Sequence, residues 1–91
     1  MKTSIIVDGE ISSVGSIVGN LNTDNAEQKN LHGNSIEFIF NTKKEAIKSL
    51  SACYRALIED SEDWEASLGS YSYASGISYD AASASIFDTN I

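Results

Sequence analysis

Residues 36–58 read IEFIFNTKKEAIKSLSACYRALI, and their hydrophobic period changes at Asn41. Before Asn41, apolar side chains alternate, as they do in a strand that packs one face on a core. The core-facing positions would be Ile36, Phe38 and Phe40. After it, apolar residues recur every three or four positions, as they do on one stripe of a helix. This stretch therefore predicts a strand followed by an amphipathic helix.

The helix has a clear start. Thr42-Lys43-Lys44-Glu45 has the pattern of a capping box, in which the Thr42 hydroxyl accepts from the backbone of Glu45 while Glu45 reaches back to the cap's own amide. The predicted buried stripe comprises Ala46, Ile47, Leu50, Cys53, Tyr54, Leu57 and Ile58. The opposite side carries Lys44, Lys48, Ser51 and Arg55.

The N-terminal part predicts a hairpin. Asp8-Gly9 follows Ser4-Ile5-Ile6-Val7, and an Asp-Gly pair favours tight turns because both central positions need positive φ. The second strand would run from Ile11 to Val18. A helix over 12–21 is the alternative, but Gly15 and Gly19 disfavour it. The next stretch, 20–34, is almost wholly polar and predicts a flexible loop with at most a helical turn near Ala26.

The C-terminal part predicts a second hairpin. Residues 68–74 alternate, Ser75-Gly76 is a plausible turn, and 77–87 would return as the antiparallel partner. Ile77 and Tyr79 would then share one face, with Ile86 on the other. A helix over 80–85 is the competing interpretation, since Ala is frequent there.

These elements predict one α+β domain over residues 1–91. Its small antiparallel sheet would have four to five strands in the order β-β-loop-β-α-β-β, packed on one amphipathic helix. A chain of 91 residues closes only one hydrophobic core. We expect a cytoplasmic protein, because the one cysteine allows no internal disulfide and no stretch resembles a signal peptide or a membrane span.

The residue inventory predicts no enzyme, no cofactor and no metal site. Cys53 lies on the apolar stripe, where cysteines behave as small hydrophobes. His32 is the only histidine and lies in the predicted loop beside Gly33. One Cys and one His cannot form a zinc tetrad, and the scattered glycines do not form a phosphate loop.

Charge is divided sharply along the chain. Residues 1–58 contain six acids and six bases, whereas residues 59–91 contain seven acids and no base, which accounts for the net charge of −7. Such an acidic segment attracts cationic partners and repels phosphate. The sequence therefore predicts no direct binding to nucleic acid or to a membrane surface.

The strongest candidate site is the acidic run that follows the predicted helix. Five acids in seven residues surround Trp64, at a helix end where carboxylates are disfavoured by the macrodipole. Tyrosines among small polar residues, as at 70–74, are typical of adaptable binding surfaces. The predicted partner-binding residues are Glu59, Asp60, Glu62, Asp63, Trp64, Glu65, Tyr71 and Tyr73. The alternatives are an acidic stretch that only aids solubility and tyrosines that belong to the core.

The order of a short N-terminal hairpin, the 36–40 strand, the Thr42-Lys43-Lys44-Glu45-Ala46 helix start and a closing hairpin resembles small phage-encoded proteins, among them anti-CRISPR inhibitors. This resemblance implies a compact, non-enzymatic inhibitor that covers the nucleic-acid-binding surface of a host defence complex. The predicted partner is a protein with a basic surface.

Two other functions fit the sequence. An immunity or antitoxin protein would neutralise a basic nuclease by the same electrostatics. A self-assembling subunit would pair the charge-poor strands at 11–18 and 70–79 edge to edge. The sequence leaves monomer and dimer open.

Overall fold

A computed structural model describes residues 2–58 and 76–89 of the chain. These residues form an antiparallel sheet with two helices, which confirms the α+β class. The elements in chain order are β1 (Lys2–Gly9), α1 (Ile11–Asn20), β2 (Glu27–Asn30), β3 (Ile36–Phe40), α2 (Lys43–Ile58), β4 (Gly76–Tyr79) and β5 (Ala82–Thr89).

The described strands are ordered β2-β3-β1-β5-β4, and every neighbouring pair is antiparallel. Consequently β1 and β2 run parallel with β3 between them, and β3 and β5 run parallel with β1 between them. The helix α1 connects β1 to β2 as a split βαβ unit, whereas α2 is followed first by β4, which runs antiparallel to β3, and only then by β5. The strand β4 is an additional edge.

The core lies between the sheet and the helices. In the central strand β1, Ile5 lies opposite Phe38 of β3 and Ile86 of β5. Val7, two residues later, lies opposite Ala84 of β5. These side chains share one face because directly opposite residues of antiparallel strands point the same way. Both helices pack on that face, so Ile5 and Val7 have no exposed surface.

The predicted strand over Ile11–Val18 is wrong, and the alternative helix is correct. The helix α1 spans Ile11–Asn20 and buries Val14 and Ile17 against the core, with Leu21 buried just beyond its end. Gly15 and Gly19 disfavour a helix only through their low intrinsic helix propensity, which costs about 1 kcal/mol each relative to alanine. Burial of the apolar stripe outweighs that cost, so two helices rather than one cover the sheet.

Asp8-Gly9 is not a hairpin turn. Gly9 is the last residue of β1, with φ of +140°, and it pairs with Ala82 of β5. A Cβ at Gly9 would lie 2.3 Å from the carbonyl oxygen of Ala81. The glycine is therefore needed because the end of β1 passes very close to the backbone at Ala81. Glu10 N–H then donates to the same Ala81 oxygen at 3.0 Å.

The predicted loop over 20–34 contains the strand β2. All four residues of β2 are polar and exposed, so the strand has no apolar alternation from which it could be predicted. Near Ala26 the chain forms a turn in which Ala26 N–H donates to the Thr23 oxygen at 3.0 Å. A second turn leads from β2 to β3, where Leu31 N–H donates to the Ser35 oxygen at 2.9 Å.

The strand over 36–40 and the helix after it are confirmed. Phe38 and Phe40 are 2% exposed, and the buried stripe of α2 includes Ala46, Leu50, Cys53 and Tyr54. At the cap, Glu45 N–H donates to the Thr42 hydroxyl at 3.1 Å. The Glu45 carboxylate accepts from that hydroxyl, also at 3.1 Å, where the capping box predicted a bond to the Thr42 amide.

The predicted single strand over 77–87 is wrong. Residues 77–87 are not one strand and 80–85 are not helical, because the chain reverses at Asp80-Ala81 between β4 and β5. This reversal places Ile77, Tyr79 and Ile86 on the same face of the sheet, toward the helices. The predicted strand over 68–74 lies outside the described residues.

Asp80 is the one described non-glycine residue with positive φ, at 52°. Left-handed backbone costs an L-residue about 1 kcal/mol that glycine does not incur. We therefore expect Asp80→Gly to raise the free energy of unfolding by about 1 kcal/mol, measured by urea denaturation. The control Ala81→Gly has no positive φ to relieve and should lower stability. An equal effect of both variants would contradict this account of the turn.

Candidate functional site

The predicted partner-binding residues all lie outside the described residues. They are Glu59, Asp60, Glu62, Asp63, Trp64, Glu65, Tyr71 and Tyr73. What the structure describes is the element that precedes them, since α2 ends at Ile58 and Glu59 is the next residue in the sequence.

The helix before the acidic run is anchored firmly. Leu50 and Cys53 have no exposed surface and Tyr54 is 5% exposed, so the second half of α2 is fixed in the core. Its solvent side carries the exposed side chains of Lys44, Lys48 and Arg55. A basic helix face is therefore followed directly in sequence by five carboxylates.

Cys53 is a packing residue, not a nucleophile. Its thiol lies between the helices and donates to the Ile17 carbonyl oxygen, with an Sγ–O distance of 3.5 Å. Burial raises the pKa of the thiol from 9.0 to about 11, because desolvation disfavours the thiolate. At neutral pH the sulfur is therefore protonated, and protonated sulfur is a poor nucleophile.

Groups that hold metals do not converge in residues 2–58 and 76–89. No cluster of three His, Cys, Asp or Glu side chains occurs in that part of the chain. His32 is exposed in the turn between β2 and β3. Two carboxylates on the sheet accept short hydrogen bonds from serine hydroxyls: Glu37 Oε2 from Ser4 at 2.7 Å and Asp8 Oδ1 from Ser35 at 2.6 Å.

A small polar cavity of about 140 Å³ lies at the first turns of α2. Its walls include Asn22, Asn25, Lys48 and Glu45, with Phe40 at the sheet. The volume is close to that of an engineered cavity that admits benzene, so there is room for a few waters or a very small molecule. The buried Ser49 hydroxyl beside it has no hydrogen-bond partner within the described chain.

A larger, more apolar groove of about 370 Å³ lies between α1 and the turn that leads into β3. Val14, Val18 and Ile36 form its apolar wall, and Asn30, the last residue of β2, lies at its side. Ile11 at its rim is 70% exposed, the highest value among the large exposed apolar residues of the described chain. This groove is a candidate contact surface.

The face of the sheet away from the helices is partly apolar. It carries half-buried Ile6 and Ile39 together with Phe87, which is 50% exposed. Glu27, Lys29 and Asp8 also lie on this face. We call it the open face, since neither helix packs on it.

No helix among the described residues is long and apolar enough to cross a membrane. Comparison with known proteins found no matching family model, no similar curated protein and no similar solved structure. The function must therefore be argued from the chain itself.

Sequence reasoning missed both the groove and the exposed edge of β2. The groove depends on α1, which the sequence predicts as a strand because Gly15 and Gly19 disfavour a helix. The signal for the helix is the spacing of Ile11, Val14, Val18 and Leu21, which recur every three or four residues.

The raised pKa of Cys53 predicts a specific loss of stability at high pH. The unfolded thiol ionises above about pH 9 while the folded thiol stays protonated to about pH 11. The stabilisation of the folded state by the protonated Cys53 thiol is complete below pH 9.0 and is lost as pH rises through about 11. We expect the stability gap between the wild type and Cys53→Ala to narrow by up to about 2 kcal/mol between about pH 8 and pH 11.

The measurement is urea unfolding of both proteins, with reductant, at the two pH values. Other groups titrate in this range but do so in both proteins, so only the difference reports on Cys53. A constant gap would show that the folded thiol ionises as readily as the unfolded one.

Proposed function

We propose that this protein is a non-enzymatic inhibitor that binds a basic, nucleic-acid-binding surface on a host defence complex. The observation that carries the proposal is the division of charge, with zero net charge over residues 1–58 and −7 over residues 59–91. A binding protein of this kind resembles anti-CRISPR inhibitors in its small size and acidity.

The acidic run supplies the electrostatic part of this binding. Its carboxylates stand in for the backbone phosphates that the basic surface normally holds. Opposite charges on the two partners speed their encounter, and like charge repels the competing nucleic acid. Five carboxylates within seven residues approach the charge density of a short nucleic-acid segment.

Affinity also needs groups that bury surface, because exposed ion pairs contribute little once screened by salt. Trp64 lies within the acidic run, and Tyr71 and Tyr73 follow it. Trp and Tyr are enriched among the residues that dominate binding energy at interfaces. In this proposal Trp64 anchors the contact and the carboxylates orient it.

In this proposal the described sheet and helices serve as the support. The described elements end at Ile58 and resume at Gly76, so the sheet and helices hold both ends of residues 59–75.

Neutralisation of a basic nuclease toxin, the function of an immunity protein, rests on the same electrostatics. The identity of the captured partner separates the two functions.

The first test is capture from a lysate of the natural host with tagged protein at about 50 mM salt, followed by elution at about 500 mM, where screening is strong. Recovery of a nucleic-acid-binding defence complex that elutes as salt rises supports the proposal. Recovery of a single basic nuclease supports the immunity function instead, and capture that is indifferent to salt contradicts both.

Neutralising the acidic run should weaken binding without unfolding the protein. We expect the variant with Glu59→Gln, Asp60→Asn, Glu62→Gln, Asp63→Asn and Glu65→Gln to lose at least about tenfold in affinity at low salt. Thermal unfolding of the variant checks its fold, and a titration with the purified partner measures its affinity.

A matched pair of triple variants separates location from net charge. Asp60→Asn, Glu62→Gln and Asp63→Asn remove three charges from the acidic run, whereas Glu10→Gln, Asp24→Asn and Asp80→Asn remove three from exposed sites elsewhere. Only the first set should weaken binding strongly. Equal losses would show that overall charge, not the acidic run, attracts the partner.

A further inference from the structure

The outer edge of β2 is not paired with any strand that the structure describes. Among the described strands β2 pairs only with β3, and all four of its side chains are exposed. A strand edge presents unpaired N–H and C=O groups that are a ready template for another strand. Short length and charge normally protect such edges, so the arrangement of the charges decides whether this edge is protected.

The backbone groups on this edge can be assigned. Leu31 N–H donates to the Ser35 oxygen, so the backbone of Leu31 faces the β3 side. Because N–H and C=O groups alternate in direction along a strand, Lys29 and Glu27 also face β3. Gln28 and Asn30 therefore direct their N–H and C=O groups outward.

The charges on β2 are self-complementary about Gln28. Glu27 precedes it and Lys29 follows it, and both side chains lie on the open face. An antiparallel copy of the same strand centred on Gln28 would set each Glu27 opposite the second copy's Lys29. Opposite charges directly across a strand pair stabilise it, whereas a protective edge would carry charges of one sign.

We propose that two copies of the chain associate through antiparallel pairing of β2, with Gln28 on the twofold axis, to form one continuous sheet. The outward backbone groups of Gln28 in the two copies then exchange both hydrogen bonds. The same register sets Asn30 opposite the second copy's Ala26. This association is separate from the acidic run and does not depend on the proposed function.

The apolar groove supports the same contact. It lies between α1 and the end of β2, and its side at Asn30 is the place that the second copy's Ala26 would approach. Exposed Ile11 lies at the rim, and a Cβ on Gly15 would have no neighbour within 4 Å. The groove therefore offers apolar surface and room next to the proposed strand pairing.

The association is expected to be weak, since a four-residue pairing is small compared with a standard interface. We expect a dissociation constant on the order of 100 μM, measured by sedimentation velocity over a concentration series. Amide hydrogen exchange gives a residue-level readout. Exchange at Gln28 should slow as concentration rises, while exchange at Lys29 should not depend on concentration.

Charge reversal tests the register. Glu27→Lys places two lysines opposite each other and Lys29→Glu places two glutamates opposite each other, so each variant alone should dimerise about tenfold more weakly. A mixture of the two restores both opposite-charge pairs and should associate at least as well as the wild type. Asp80→Lys, in the β4–β5 turn at the opposite edge of the sheet, and Lys48→Glu on α2 are matched controls at exposed sites away from β2.

A backbone variant tests the strand pairing itself. Gln28→Pro removes an outward N–H and no bond to β3, so it should abolish dimerisation and leave the monomer folded, as thermal unfolding would show. A monomer at all concentrations up to about 1 mM would overturn the proposal, since that is far above the expected dissociation constant. A dimer that persists in Gln28→Pro, or a mixture of charge variants that stays monomeric, would also overturn it.

Discussion

The burial of β1 at the centre of the sheet is the constraint on which the rest of the structure depends. This strand pairs along its whole length with β5 and along five residues with β3, and its inward side chains lie under both helices. A shift of one residue in either register would turn Ile5 and Val7 to the open face. Gly9 then lets the chain pass close to the β4–β5 turn, and α1 begins two residues later.

The parts that sequence predicted well are those where several signals agree. Over 36–58 the change of period, the aromatic face of the strand and the capping box all point to one structure, and that structure is observed. Over 11–20 they conflict, because β-branched residues favour a strand and two glycines disfavour a helix, while Val14 and Ile17 fit a helical stripe. Tertiary burial decides such cases, and a sequence contains no direct measure of it.

The turns, too, are decided by tertiary contacts that the sequence does not show directly. Asp8-Gly9 has the residues that a hairpin prefers, yet there the glycine serves a close contact between strands. Asp80-Ala81 lacks glycine and still forms the turn, with Asp80 in the left-handed region. The acidic run was evident from composition alone, whereas the self-complementary edge of β2 and the groove beside α1 depend on strand order and register.

Net charge and the described core are distributed unevenly along the chain. Residues 1–58 are neutral overall and supply most of the core that the structure describes, with the last hairpin completing the sheet. Residues 59–75 join α2 to β4 and contain five of the seven excess charges. In the proposed function the acidic run serves to bind a partner, which would account for carboxylates at a helix end where the dipole of α2 disfavours them.

The most direct test of this division is to replace residues 59–75 with a neutral Gly/Ser linker of equal length and to measure folding and capture on the same protein. Circular dichroism and thermal unfolding report on the sheet and helices, and salt-dependent capture from host lysate reports on binding. Retained folding with lost capture is the expected result. Retained capture, or loss of the fold, would contradict the division between a neutral core and an acidic binding segment.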